Sequence, residues 1–188
     1  MADIPWIPNK FEEEEKMDVE LNEKCRKALK QYSVSALSTE YGCICDRIWI
    51  NETGGTVAVE MKHRFGRKFS DVFIEPKKYE NLMDLYRIKN ILPFYINHWN
   101  EDEFFYLWVL PAVNEENIKL HRNVPIKDAI VGKKWEDRYG LNFNDAYCFR
   151  FNGELIRKPK NKQLKTKAPD AHDIQGPITN NLLKNIEK

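Results

Sequence analysis

Hydrophobic and polar positions change period several times along this chain. In 17–32, "MDVELNEKCRKALKQY", Leu21, Cys25, Ala28 and Leu29 fall on one helical stripe. Lys and Arg crowd the C-terminal half of that segment, which suits the helix dipole, so a helix is predicted there. Residues 44–51 and 56–63 change to a period of two. In "TVAVEMKHR" (56–64), Val57, Val59 and Met61 face one way and Ala58, Glu60 and Lys62 the other, as in a half-buried strand. The intervening "ETGG" (52–55) is turn-like, so the two runs form a β-hairpin.

Residues 69–76 are read as a short strand or an ordered loop. Pro76 suits the first turn of a helix, and Tyr79, Leu82, Met83 and Tyr86 recur after it at helical spacing. The aromatic and branched runs 91–99 and 103–111 are predicted strands. A short helix ended near Gly140 is expected within 126–140. One or two strands turning at Asn152-Gly153 are expected within 144–157. Helices interleaved with a mixed sheet put the chain in the α/β (α+β) class. The organisation read from the sequence is a flexible N-terminal arm or helix cap over 1–16, a domain over 17–156, and a basic tail over 157–188. That tail opens with "RKPKNKQLKTK", six basic residues and no acid.

Composition narrows the function classes. The chain has 188 residues, 42% hydrophobic and 31% charged, as expected of a globular domain with a real core. The formal net charge of +1 predicts no attraction to polyanions beyond local clusters. No apolar run approaches the ~18–20 residues that span a bilayer, and no signal peptide opens the chain; no membrane partner and a cytoplasmic setting are expected. Cys25, Cys43, Cys45 and Cys148 are read as reduced, partly buried thiols. Neither disulfide nor zinc spacing connects them with one another or with the four histidines.

The hairpin carries the candidate chemistry. With its turn centred near Thr53–Gly54, cross-strand partners have numbers summing to about 106–108, which sets Asp46 opposite 60–62. Two carboxylates at one spot repel unless a cation lies between them. Hard oxygen ligands there suit magnesium or manganese, and a lysine alongside stabilises developing negative charge. That set is what metal-assisted phosphodiester hydrolysis requires. The plain alternative is a surface ion pair between Glu60 and Lys62, worth under about 1 kcal/mol.

Asp46, thirteen intervening residues and then Glu60-Met61-Lys62 at the end of a strand resembles the core of the PD-(D/E)XK nuclease superfamily. In flavour it is similar to the archaeal-type Holliday junction resolvases. The resemblance covers about residues 17–111, with Cys45 where the family name has proline. It implies a restriction-endonuclease-like core, a central mixed sheet flanked by helices, and a DNA endonuclease dependent on Mg²⁺ or Mn²⁺. The superfamily serves branched junctions, damaged or mismatched duplexes, restriction sites, displaced flaps and RNA, and the resemblance to the resolvases points among these to branched DNA, to recombination or repair and to a homodimer. The small size and the Lys- and Asn-rich composition suggest a phage or prokaryotic setting. Asp46, Glu60 and the main-chain carbonyl of Met61 would be metal ligands, and Lys62 the catalytic lysine. A first-helix glutamate would join them, Glu20 or, nearer the middle of the helix, Glu23. Lys77 and Lys78 would meet the scissile phosphate. The run "MKHRFGRK" (61–68) adds Arg64, Arg67 and Lys68 as a phosphate-facing rim, with His63 beside it. Asp71 and Glu75 are read as capping or surface residues. The alternative function is a non-catalytic nucleic-acid-binding or interaction protein on the same fold.

Overall fold

A computed structural model describes residues 8–37, 44–64, 70–100, 102–128 and 132–160. Helix α1 (Pro8–Leu29) turns Leu21, Cys25, Ala28 and Leu29 into the core, as their spacing requires. It starts at Pro8, so the acidic run "FEEEEK", assigned to the arm, is helical. Strand β1 (Tyr32–Leu37), which the sequence reading lacked, follows and pairs antiparallel with β2 (Arg47–Asn51). Strand β3 (Thr56–Arg64) completes the expected hairpin, with Arg47 opposite Val59 and Ile50 opposite Thr56. The Asn51 carboxamide oxygen locks the turn by accepting from Thr53 N, Thr53 Oγ1 and Gly55 N. Gly54 supplies the positive φ of 80° that the turn needs.

Strand β4 (Asp71–Ile74) leads into α2 (Pro76–Lys89). That helix has Pro76 in its first turn and ends on Asn90 in the left-handed region, whose N–H bonds Leu85 O and Tyr86 O. Strand β5 (Leu92–Trp99) then lies parallel to β3, with Glu60 beside Tyr95 and Lys62 beside Asn97. Strands β6 (Phe104–Val109), β9 (Tyr147–Arg150) and β10 (Leu155–Arg157) extend the sheet antiparallel, β9 turning into β10 at Gly153 (φ 92°) as expected. Among the described residues this sheet runs β1-β2-β3-β5-β6-β9-β10. The fold is therefore α+β, a mixed central sheet flanked by helices.

The stretch 126–140 is a correction. Its described residues hold no helix; β7 (Lys119–Asp128) and β8 (Gly132–Asn142) form a long hairpin, and β4 pairs with β8 to make a second sheet, β4-β8-β7. Period-two burial explains the outcome. Leu141 is fully enclosed and Tyr139 packs beside Tyr79 of α2, while Arg138 and Gly140 turn to the other face.

The core lies on both sides of the large sheet. Val57, Val59 and Met61 pack with Trp49, Phe94 and α1. Ala58, Tyr95 and Trp108 pack with Leu82 of α2 and with Val72 and Ile74 of β4. Strand β3 is thus buried on both faces rather than half-buried, because its parallel neighbour requires a crossover that covers the second face. Cys25, Cys45 and Cys148 are buried thiols outside any disulfide, while Cys43 lies outside the described residues. Among the described residues no helix is long and apolar enough to cross a membrane. Most of the basic tail, residues 161–188, lies outside them as well.

Two stability predictions follow from buried polar groups. Trp49 Nε1 donates to Asn22 Oδ1 at 2.8 Å inside the core, tying β2 to α1. Asn22→Ala leaves that N–H unpaired and lowers unfolding free energy by about 1–3 kcal/mol in urea titrations. His98, 8% exposed, has its imidazole pKa pushed down by burial. The folded state therefore favours the neutral ring. The stability this contributes is complete above the unfolded value of about 6.5 and is lost as pH falls through the lower folded value. The urea midpoint should drop between pH 7 and 5, and drop less in His98→Gln.

Candidate active site

The hairpin register delivers Asp46 to β3. Its N–H donates to Val59 O at 3.0 Å, and its Oδ2 accepts from Met61 N at 2.7 Å. The carboxylate is thereby fixed beside the Glu60-Met61-Lys62 run. Glu60 points to the α2 side of the sheet with no exposed surface. Lys62 Nζ lies 2.7 Å from its Oε1, and Lys78 Nζ, from the first turn of α2, lies 3.0 Å from its Oε2.

Burial raises the Glu60 pKa, and the Asp46 charge adds to that rise; the two lysines pull the other way without cancelling it. Burial also lowers the Lys62 pKa, but the carboxylates of Glu60 and Asp46 outweigh it, and the ammonium ends well above its ordinary range. Lys62 keeps 47% of its side chain open to solvent, so it bridges the buried carboxylate and the surface.

The acid of α1 that joins this group is Asp18, which the sequence reading did not name. Its pKa is raised by desolvation and by Asp46, against the pull of Lys62, His63 and Arg47. The signal was available: at 100° per residue Asp18 lies within about 20° of the core residue Cys25, whereas Glu20 and Glu23 fall about 140° and 160° away. Glu23 instead bonds Arg26 at 2.8 Å, which holds its carboxyl below the ordinary range.

The other expected residues separate. Lys78 joins Glu60 directly, while Lys77 is exposed at the start of α2. Arg64 lines the cleft with its guanidinium held by the protein: its Nε bonds Asn97 Oδ1, one terminal nitrogen donates to Phe73 O and Tyr95 OH at 3.0 Å each, and the guanidinium sits 5.9 Å from the Trp99 ring centre. His63 approaches Asn100 Oδ1 at 3.3 Å and meets the edge of His98. Arg67 and Lys68 lie outside the described residues. Glu75 pairs with Arg138 at 2.8 Å.

Glu60 and Lys62 open into a cleft of about 1030 Å³ between the two sheets. Its inner wall is β3 and β5. Its outer wall is β4 with the β7–β8 hairpin, including Asp71, His121, Arg122 and Arg138.

The donor set fits a hard dication. Burial and the Asp46 charge each raise the cost of ionising Glu60, so a cation between the two carboxylates relieves it. No three His, Cys, Asp or Glu side chains converge as metal ligands among the described residues. The available donors are two carboxylates and the Met61 carbonyl. Mg²⁺, which retains several waters and takes one or two carboxylates, suits that number.

No family model matches the chain, and no curated protein matches it. Among solved structures it is similar to Hjc of Archaeoglobus fulgidus, a Holliday junction resolvase from an archaeal hyperthermophile. The identity is 12% over 69% of this chain and 84% of that one, with a TM-score of 0.37, a likeness too loose to carry an argument.

Removing Lys78 leaves a buried carboxylate with one cation. Lys78→Met should lower the stability of the metal-free protein at pH 7 by roughly 1–3 kcal/mol. The loss should shrink as acid protonates Glu60, and it should be smaller in the Glu60→Gln background. Urea titrations of the four proteins of this cycle measure it.

Proposed function

We propose that this protein is a divalent-metal-dependent endonuclease that hydrolyses phosphodiester bonds in DNA, with preference for branched substrates. The observation that carries the reading is the meeting of Asp46, Glu60 and Lys62 at strand β3, with Glu60 fully buried, Lys62 partly open, and the last two lining the cleft. A surface ion pair does not account for a carboxylate with no exposed area. Sequence resemblance to the PD-(D/E)XK nucleases assigns the same three positions to catalysis, and the element order helix, hairpin, helix, strand agrees with it.

When bound, Mg²⁺ or Mn²⁺ would supply Lewis acidity and a water of lowered pKa. Asp46, Glu60 and the Met61 carbonyl would hold it, with Asp18 near enough to add its charge. Each Glu60 oxygen now faces a lysine, so Glu60 can take a cation only where an ammonium withdraws. The released lysine carries its charge to the phosphate. Lys62, the more exposed of the two, orients the attacking water and stabilises the charge that builds on the phosphoryl oxygens. Lys77 and Arg122, both exposed, are placed to hold the flanking backbone. Cutting both strands of a branched duplex requires two such sites, and the reading therefore includes a second copy of the chain.

The second reading is a nucleic-acid-binding protein that does not cut. Its support is that Glu60 is already neutralised by two lysines and that Asp46 already accepts the Met61 N–H.

Cleavage and binding assays separate the two. With Mg²⁺ or Mn²⁺ the wild type should cut branched DNA, and Lys62→Ala and Asp46→Asn should each lose about 100-fold or more in rate while still binding it. Mn²⁺ should raise the melting temperature of the wild type and not that of Asp46→Asn. Binding by every protein with cleavage by none selects the second reading.

A further inference from the structure

The outer wall of the cleft holds a second polar pair that the reaction as described does not use. His121 Nε2 is sealed from solvent and faces Asp71 Oδ2 at 3.4 Å. The Phe73 ring meets the imidazole edge-on with centres 5.0 Å apart. Beneath it lies Gly140, where an added Cβ would stand 2.7 Å from His121 Nε2 and 2.9 Å from Cδ2. Gly140 has no positive φ, so the backbone does not demand glycine there; the imidazole does. The other charged groups around the ring are Arg122 on its own strand and Arg138, opposite it on β8 and tied to Glu75 and Glu136. An aspartate, an aromatic edge and a missing side chain together hold one histidine in one orientation at the cleft.

We propose that His121 is the general acid that protonates the leaving 3′ oxygen, with Asp71 as its positioning residue. The inference rests on the nuclease reading. In-line displacement places the leaving oxygen on the side of phosphorus opposite the attacking water. The water belongs to the wall of Glu60 and Lys62, so the leaving oxygen faces the wall of His121. The water oxygen forms its bond to phosphorus as the P–O3′ bond breaks. The proton on His121 Nδ1, the ring nitrogen other than the one facing Asp71, passes to the departing oxygen. The water's own proton goes to solvent, which later reprotonates the ring. Histidine is the side chain whose chemistry allows both transfers near neutral pH, and the Asp71 carboxylate 3.4 Å from Nε2 fixes the orientation of the ring.

The test uses DNA in which sulfur replaces the bridging 3′ oxygen at the mapped cleavage position, since a thiolate leaves without a proton. In Mg²⁺, His121→Gln and Gly140→Ala should fold as the wild type does by circular dichroism and cut ordinary DNA about 100-fold more slowly. On the sulfur-bridged substrate both should come within about 3-fold of wild type, and the alkaline limb of the wild-type pH–rate profile should vanish there. In the metal-free protein, the NMR signal of His121 Nε2 should shift in Asp71→Asn, which removes the carboxylate charge 3.4 Å away. A loss that is equal on both substrates, or no loss, overturns the role of His121 and leaves the nuclease reading standing. An unmoved Nε2 signal overturns the role of Asp71. A wild type that cuts neither substrate overturns both readings together.

Discussion

A carboxylate with no solvent-exposed surface lies in the second strand of the hairpin, and the architecture around it is arranged to tolerate that charge. An isolated buried carboxylate would cost several kcal/mol and would normally be protonated or replaced. Glu60 is retained because two ammonium groups reach its two oxygens from different elements, one from its own strand and one from α2. Neither lysine suffices alone, since burial and Asp46 still hold the Glu60 pKa up. The cluster is therefore balanced close to neutrality and responds to any added cation or anion.

Topology makes this balance possible. A parallel pair such as β3 and β5 cannot be joined by a tight turn, so the chain must leave the sheet and return across its face. The returning segment is α2, and its first turn lies over Glu60. The positive end of the helix dipole thus adds to the ammonium of Lys78. Before that helix forms, the chain makes β4, which pairs away from the main sheet and recruits β8 and β7. The same crossover that neutralises the acid also builds the facing wall of the cleft. Site and cleft are two results of one connection.

The parts legible in the sequence were those set by local rules. The hairpin could be read from the Gly54-Gly55 turn with the flanking alternation, and its register places Asp46 at β3. The parts that were not legible depended on partners distant in the chain. Strand β1 is short, and it is a strand because β2 lies beside it. The hairpin of β7 and β8 reads poorly because charged and apolar residues mix along one strand, and only pairing with β4 shows which face is covered. Asp18 was missed for a simpler reason: the candidate acids were ranked by position along the helix rather than by angle around it. Arg64 looked like a phosphate contact because it sits in a basic run, but strand alternation and the return of β5 bring it to Asn97 and Tyr95.

Arg64 also bears on how such a molecule can change over generations. Its guanidinium and the Tyr95 hydroxyl both end on the main-chain oxygen of Phe73, not on a side chain. The tie between the two sheets is therefore blind to the residue type at 73 and strict at 64, 95 and 97. Among related chains, the side chain at position 73 could drift without loosening this tie. The inner three positions would vary only in concert.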